Sequence, residues 1–322
     1  MLNNYQYFMA LAEASNISKA AQKLFISHQC LSKYLKNLEE EYHVAFFERT
    51  PKLALIHAGQ LYLDTIRQVQ LLEEDMNSRL EDIRQSKRGL IRLGTTEGRY
   101  RILIPDLMAQ FKKLYPDVIL DVQHSSNSRQ LSEQVLENKL DIVLLNKSDI
   151  NHNQLESKPV LEEQMYLVVS DNLLEEYFSD WYPQCKQEFA QGVDLVHLQK
   201  LPFVLGKQGF NSRDALEKHF LPRKLNLNCV TEMTQLDLHF MMTARDYAAS
   251  FCWSMYIPSI QQLNESGNFS HLNVFPLRGR KIKNKVVLVM RKGKILPAYG
   301  RDLIQLIKQN CAIFADPDLE HI

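Results

Sequence analysis

Residues 18–42 read SKAAQKLFISHQCLSKYLKNLEEEY, two amphipathic runs separated by only a few residues. Ser18 and Ser27 each stand where a helix N-cap belongs, and the Ala20-Ala21 pair lets a second helix approach closely. The spacing therefore predicts a helix-turn-helix. In the second run Leu31, Leu35 and Leu38 share one side of a 3.6-residue period, while Gln29, Ser32, Lys33 and Lys36 share the other. A polar side of this kind fits a major groove: Gln29 can pair with adenine, Ser32 can reach a base or phosphate, and the lysines can meet phosphate or guanine. A solvated amphipathic helix has the same pattern, so spacing alone leaves both readings open. Cys30 falls beside the polar arc.

Downstream, HVAFFERTPKLALIHAG (43–59) alternates short apolar runs and suits a two-stranded wing, with Arg49 and Lys52 available to phosphates. From 58 to 88 there is no Pro and a single Gly, and Tyr62, Ile66, Val69, Leu72, Met76, Leu80 and Ile83 recur by threes and fours. So narrow a stripe is expected to be covered by the same helix of a second copy, giving a dimerising linker. After Gly89 short apolar runs alternate with helical patterns: LIRLGT (90–95), a helix over about 99–114, VILDVQ (118–123), a helix over about 129–138 and DIVLL (141–145). That is a βαβ rhythm with a parallel sheet. A second set runs from MYLVVS (165–170) through PFVLG (202–206) to YAASFCW (247–253), and VVLVM (286–290) with a closing helix returns to the first lobe. The stretch 171–200 is too long for an ordinary loop and is expected to hold its own helix near 184–191 or a lid.

The chain has 322 residues, 38 basic against 38 acidic side chains and 45% hydrophobic residues, enough for about two cored domains. Zero net charge excludes a polycation that holds nucleic acid by bulk charge. No apolar run is long enough to span a bilayer and the N-terminus does not read as a signal peptide, so a cytoplasmic protein without membrane contact is expected. The five cysteines are scattered, without a C-x-x-C pair, which signals neither a disulfide framework nor a zinc site.

Residues 1–59 resemble the N-terminal winged helix-turn-helix of LysR-type transcriptional regulators, at Phe8, Ala20-Ala21, Leu24, Ser27, Gln29, Ser32, Leu38-Glu39, Phe47, Arg49 and Ala58-Gly59. The likeness extends through the linker and the two-lobed region to VVLVMRKGKILPAYGRDLIQLI (286–307). It departs at His43, where a Gly is usual, at Phe46, where Leu is common, and at Ile56, where a Thr is usual. The resemblance implies an α/β chain: a DNA-binding winged helix-turn-helix (1–57), a linker helix (58–88) and an effector domain (89–322) resembling type 2 periplasmic binding proteins. Lobe I would span about 89–160 and 268–322, and lobe II about 161–267. It implies that Gln29, Ser32 and Lys33 read bases, that Lys36, Arg49 and Lys52 hold the backbone, and that Lys19 and Ser27 belong to the same surface. Residues 1–57 are only slightly basic, so two copies on a palindrome are expected, with steep salt dependence. The partners implied are double-stranded promoter DNA, a small-molecule effector, a second copy in a dimer or tetramer and, as a further candidate, RNA polymerase. No cofactor or metal is expected.

Open α/β sheets bind ligands beyond the carboxyl ends of their strands, at helix N-termini. Those ends carry Thr95, Thr96 and Glu97, then Ser125, Ser126, Asn127 and Ser128, then Asn146; the second lobe offers Asn211, Ser212 and Thr231. Helix capping accounts for each as well as ligand contact does. As a set they suit a small anion, with Glu97 opposing it unless Arg99 or Arg101 neutralises that charge, which keeps a zwitterion or cation open. Arg245 and Asp246 are expected near the cleft rim, and Trp181 and Trp253, which could line a pocket, are expected in the core. Two other functions stay on the page: an enzyme on the two-lobed fold, for which no P-loop, G-x-S-x-G, H-E-x-x-H or G-x-G-x-x-G is found, and a thiol switch through Cys185, Cys229 or Cys252.

Overall fold

The computed structural model describes residues 4–50, 52–83, 89–150, 152–223, 225–279, 281–317 and 319. The chain divides into two compact units, one built on residues 1–85 and one on most of 86–322.

The first unit runs α1 (Tyr5–Ala14), α2 (Ile17–Lys23), α3 (His28–Tyr42), β1 (Phe47–Glu48), β2 (Ala54–Leu55) and α4 (His57–Ile83). Helix α2 begins two residues earlier than the Ser18 cap predicts. Asn16 is its N-cap, accepting from the Lys19 amide at 3.0 Å, and Ser18 lies inside the helix. Ser27 does cap α3, its Oγ accepting from Cys30 N at 3.1 Å. Strands β1 and β2 pair antiparallel as the wing. At the end of α3, His43 takes the left-handed conformation (φ 52°), so a β-carbon sits where the backbone favours Gly. The core packs Phe8, Leu11, Ala20, Ala21, Leu31, Leu35, Leu38, Phe46, Phe47, Tyr62, Leu63 and Ile66 together.

That core changes the reading of the linker stripe. Tyr62 and Ile66, expected at a dimer seam, are buried within the module itself, because the first turns of α4 close its hydrophobic face. Val69 is half-buried, whereas Leu72 (67% exposed), Met76 (54%) and Leu80 (44%) are open. The Ile83 side chain and residues 84–88 of the expected linker lie outside the described residues.

The second unit contains β3 (Gly89–Thr96), α5 (Glu97–Leu114), β4 (Val118–Ser125), α6 (Ser128–Leu136), β5 (Ile142–Asn146), β6 (Leu155–Ser170), α7 (Asp171–Tyr177), α8 (Cys185–Ala190), β7 (Pro202–Gly206), α9 (Asn211–Phe220), β8 (Asn228–Met233), α10 (Leu236–Thr243), β9 (Ser250–Trp253), α11 (Ile257–Glu265), β10 (Leu272–Pro276), β11 (Lys283–Arg291) and α12 (Ala298–Ala312). In the first lobe β3 pairs parallel with β4 and β5, while β11 joins antiparallel to β5 and to the first half of β6. The second half of β6 carries β9 and β10, and β7 pairs with β8. A bridge from Phe203 to Ala249 connects β7 to the segment entering β9. Strand β6 is thus shared by both lobes.

The register of β10 moves one boundary. Leu272–Pro276 pairs with Ser170–Tyr166 in the second lobe, so that lobe extends past the expected 267 and the chain returns to the first lobe only through β11. The predicted helix in 171–200 is α8. Around it Phe178, Trp181, Phe189 and His197 pack edge to face, so Trp181 joins the second lobe's apolar core as expected.

Candidate nucleic-acid interface and effector cleft

Helix α3 presents the face that its spacing predicts. Leu31, Leu35 and Leu38 are buried, while Gln29, Lys33 and Lys36 are exposed and Ser32 is half-buried. Lys19, Ser27 and Cys30 are also exposed, as is Lys52 on the wing. Two of the cations have local partners: Lys36 lies 3.5 Å from Glu40, and Arg49 meets Glu39 at 2.7 Å. Glu39 also accepts from the Phe46 amide at 3.0 Å. A carboxylate on α3 therefore fixes both the start of the wing and its arginine, and its one signal in the sequence is its place beside Leu38. Arg49 remains 59% exposed, and an exposed pair of this kind is worth little, so phosphate can compete for it. The turn before α3 sets Phe25 in the left-handed region (φ 55°) with its ring 96% exposed.

In the second unit a cavity of about 1010 Å³ opens between the two lobes. It is built as open α/β sheets build such sites, from strand ends and the helix starts that follow. Thr96, Glu97 and Gly98 lead into α5; Ser126, Asn127 and Ser128 lead into α6; Asn146, Ser148 and Asp149 follow β5. The second lobe contributes Gly206, Asn211 and Ser212, then Thr234 and Gln235, then Trp253 and Tyr256. Trp253, expected in the core, is 5% exposed and also lines the cleft. Gly98 is required there: a β-carbon would come within 1.8 Å of the Tyr256 hydroxyl.

Three expected residues lie elsewhere. Thr95 faces the interior (1% exposed), because neighbours along a strand point to opposite sides and Thr96 takes the cleft side. The Ser125 hydroxyl is used locally, accepting from Asn127 N at 3.1 Å and donating to Gln130 at 2.9 Å. Thr231 shares a 2.8 Å bond with the Tyr247 hydroxyl, away from the cleft. Arg245 and Asp246 are not at the rim either. Asp246 accepts from Ser270 and Asn172, and Arg245 stacks over Phe269 at 4.4 Å. Asn127 lines the cleft but its side chain caps α6, accepting from Arg129 N and Gln130 N.

A buried polar network underlies the cleft, and most of it escapes a reading of strand ends. Arg99 (6% exposed) donates to Asn146 Oδ1 at 2.7 Å and lies 3.4 Å from Glu163, which is 1% exposed. Asn284 on β11 donates to both Asn146 (2.7 Å) and Glu163 (3.1 Å). Glu163 sits mid-strand on β6 and Asn284 at the start of β11, neither at the carboxyl end of a strand. Three contacts reach across the cleft: Arg101 to Asp237 at 2.6 Å, Gln235 to Glu97 Oε1 at 3.0 Å, and Asn211 to Ser148 Oγ at 3.1 Å. Arg101 also lies 3.6 Å from Glu97, the neutralisation expected for that acid.

Comparison with known proteins follows the same division. The pattern defining the LysR substrate binding domain matches residues 84–312, and that of the bacterial regulatory helix-turn-helix protein, lysR family, matches residues 2–60. This chain belongs to the LysR family. Over 213 residues it is 34% identical to the HTH-type transcriptional regulator CysL of Bacillus subtilis, an alignment covering 65% of this chain and 66% of CysL, just under two thirds. It is 26% identical over 235 residues to the HTH-type transcriptional activator CmpR of Synechocystis, covering 72% of each. Among solved structures, full-length OxyR of Pseudomonas aeruginosa superposes with a TM-score of 0.64 at 18% identity, covering 100% of this chain and 98% of that one, so the likeness is of fold. The LysR-type architecture of helix-turn-helix and two-lobed effector domain is therefore established for this chain, and these relatives are named as regulators, not enzymes. Among the described residues no helix is long and apolar enough to cross a membrane, and no cluster of His, Cys, Asp and Glu could hold a metal ion.

Proposed function

We propose that this LysR-family chain is a cytoplasmic, dimeric regulator that reads promoter DNA with α3 and is controlled by a small molecule in the interlobe cleft. The observation that carries the reading is the split of α3: its leucines hold the module together, which leaves Gln29, Ser32, Lys33 and Lys36 free to enter a major groove. Lys19, Ser27, Arg49 and Lys52 surround that face as backbone contacts. Leu72, Met76 and Leu80 form the seam on α4 that brings two such faces onto one palindrome, with a tetramer of two dimers as the larger assembly. RNA polymerase is the partner through which promoter occupancy would be read out.

The test is a gel shift of the full chain on its own upstream intergenic DNA across a salt series. The slope of log K against log salt should flatten by ~0.9 for each phosphate contact removed in Lys36→Ala or Lys52→Ala. Gln29→Ala should instead cost ~1–3 kcal/mol at a single base position. Binding insensitive to all three refutes the reading. A thiol switch is not favoured, because burial pushes the Cys185 and Cys252 thiols up, away from reactive thiolates.

A further inference from the structure

We infer that the cleft selects a zwitterion of the amino-acid class, its ammonium group held by Asp149 and Asn211 and its carboxylate by Tyr256 at the start of α5. The inference rests on the proposed effector role of the cleft and deepens it. Its first support is charge. The cavity is lined by five carboxylates (Glu97, Asp106, Asp149, Glu163, Asp237) against three guanidinium groups (Arg99, Arg101, Arg129). Every guanidinium is already engaged. Arg99 faces Glu163, Arg101 lies between Asp237 and Glu97, and the outward-facing Arg129 meets Glu133 at 3.1 Å. A simple anion would have to displace an internal carboxylate and then face the surplus acids.

The second support is a pair of acceptors with nothing cationic beside them. Asp149 takes hydrogen bonds from Asn146 Nδ2 (3.2 Å) and Ser148 Oγ (3.0 Å), and among the described residues no Lys, Arg or His lies within ion-pair distance of it. Because Ser148 gives its proton to Asp149, it can only accept from Asn211, whose amide nitrogen is 3.1 Å away. That fixes the Asn211 amide with its carbonyl oxygen on the other side, buried and without a hydrogen-bond partner among the described residues. A carboxylate and an orphaned carbonyl, one from each lobe and joined through one serine, call for a ligand with several N–H donors and a positive charge.

The third support is a donor on the far side of Gly98. Tyr256 is nine-tenths buried, its ring packed against Phe240, yet its hydroxyl has no hydrogen-bond partner among the described residues and sits against the first turn of α5. Helix α5 is 18 residues long, and Thr96 at its N-cap makes no side-chain cap. A hydroxyl donor beside uncapped helix amides suits one carboxylate.

The experiment follows tryptophan-detected unfolding and calorimetric titration of the full chain with each proteinogenic L-amino acid. Every amino acid is set beside its 2-hydroxy acid and its decarboxylated amine. At least one amino acid should raise the transition. Its amine-free and carboxylate-free analogues should each bind at least roughly ten-fold more weakly, because each leaves one end of the site unpaired. Asp149→Asn should weaken the amino acid and the amine alike, whereas Tyr256→Phe should weaken the amino acid and leave the amine unchanged. Asn211→Ala, acting from the other lobe, should repeat the Asp149 result if that variant folds poorly. The proposal is overturned if a 2-hydroxy acid matches its amino acid, if Asp149→Asn binds as tightly as the parent chain, or if no member of the panel binds. Promoter binding measured in parallel separates the two readings. If it persists, only the zwitterion falls; if it is absent while an amino acid binds, the regulator reading falls.

Discussion

Replacing Glu163 by Gln removes one charge from the most enclosed ion pair of the effector domain. Arg99 is left 6% exposed with Asn146 and Thr96 as its neighbouring hydrogen-bond acceptors, at 2.7 and 3.3 Å, and with no other carboxylate within ion-pair distance among the described residues. Breaking a buried pair in this way costs ~3–5 kcal/mol. The separation of 3.4 Å is loose and Asn146 supplies the shorter bond, so the low end, ~3 kcal/mol, is expected. For a domain of this size that lowers the melting temperature by ~6–12 °C. Both tryptophans, Trp181 and Trp253, lie in the effector domain, so their fluorescence isolates its transition from that of the DNA-binding module. The double variant Arg99→Met with Glu163→Leu removes both charges and should recover most or all of the loss, since apolar pairs of similar volume often match or exceed a buried ion pair. A Glu163→Gln transition within ~1 °C of the parent, or a double variant less stable than the single one, refutes the account of this network.

Three further outcomes are expected. Leu72→Glu with Met76→Glu should leave the helix-turn-helix folded, since neither side chain is in its core, but convert dimer to monomer by analytical ultracentrifugation; an unchanged sedimentation coefficient would remove the seam from α4. His43→Gly should stabilise the module by ~1 kcal/mol in urea, because a left-handed residue with a β-carbon is relieved of its strain, and a loss of stability would contradict that. Burial lowers the pKa of His239 below its usual 6.5, against an opposing hydrogen bond with the Met233 carbonyl. The unfolded chain therefore binds the extra proton first, so the contribution of this group is complete above pH ~6.5 and is lost as pH falls below it. Effector-domain stability should decline from pH 7 to 5 with a shallower slope in His239→Gln, and equal slopes in the two proteins would exclude His239 as the source.

The parts that a linear reading recovers are those whose signal is local. The apolar stripe of α3 and the Ser27 cap follow from a few neighbouring residues, as does the alternation of strands and helices after Gly89, and all are present. The cleft was half legible for the same reason. Thr96, Glu97, Ser126, Asn127, Ser128, Asn146, Asn211 and Ser212 line it because strand ends can be located from apolar runs. Glu163, Gln235 and Asp237 escape a linear reading because they reach the cleft only through pairings remote in sequence, such as β6 against β11, where Asn284 holds Glu163 from beneath. Thr95 and Thr231 failed through side-chain alternation along a strand, which a one-residue uncertainty in register reverses. Tyr62 and Ile66 show the limit of periodicity: a stripe says that a face is covered, not which surface covers it, and here the module's own core claims the first three turns.

Strand β6 runs unbroken from Leu155 to Ser170 and lends its first half to one sheet and its second half to the other. Neither lobe is consequently a transplantable cassette. A chimaera that exchanges one ligand-sensing half for a relative's must splice inside a continuous ladder, and a single inserted residue would invert every side chain beyond the junction. Changes of specificity in this scaffold should accordingly accumulate by substitution in the loops, and wholesale exchange of a half should give insoluble protein.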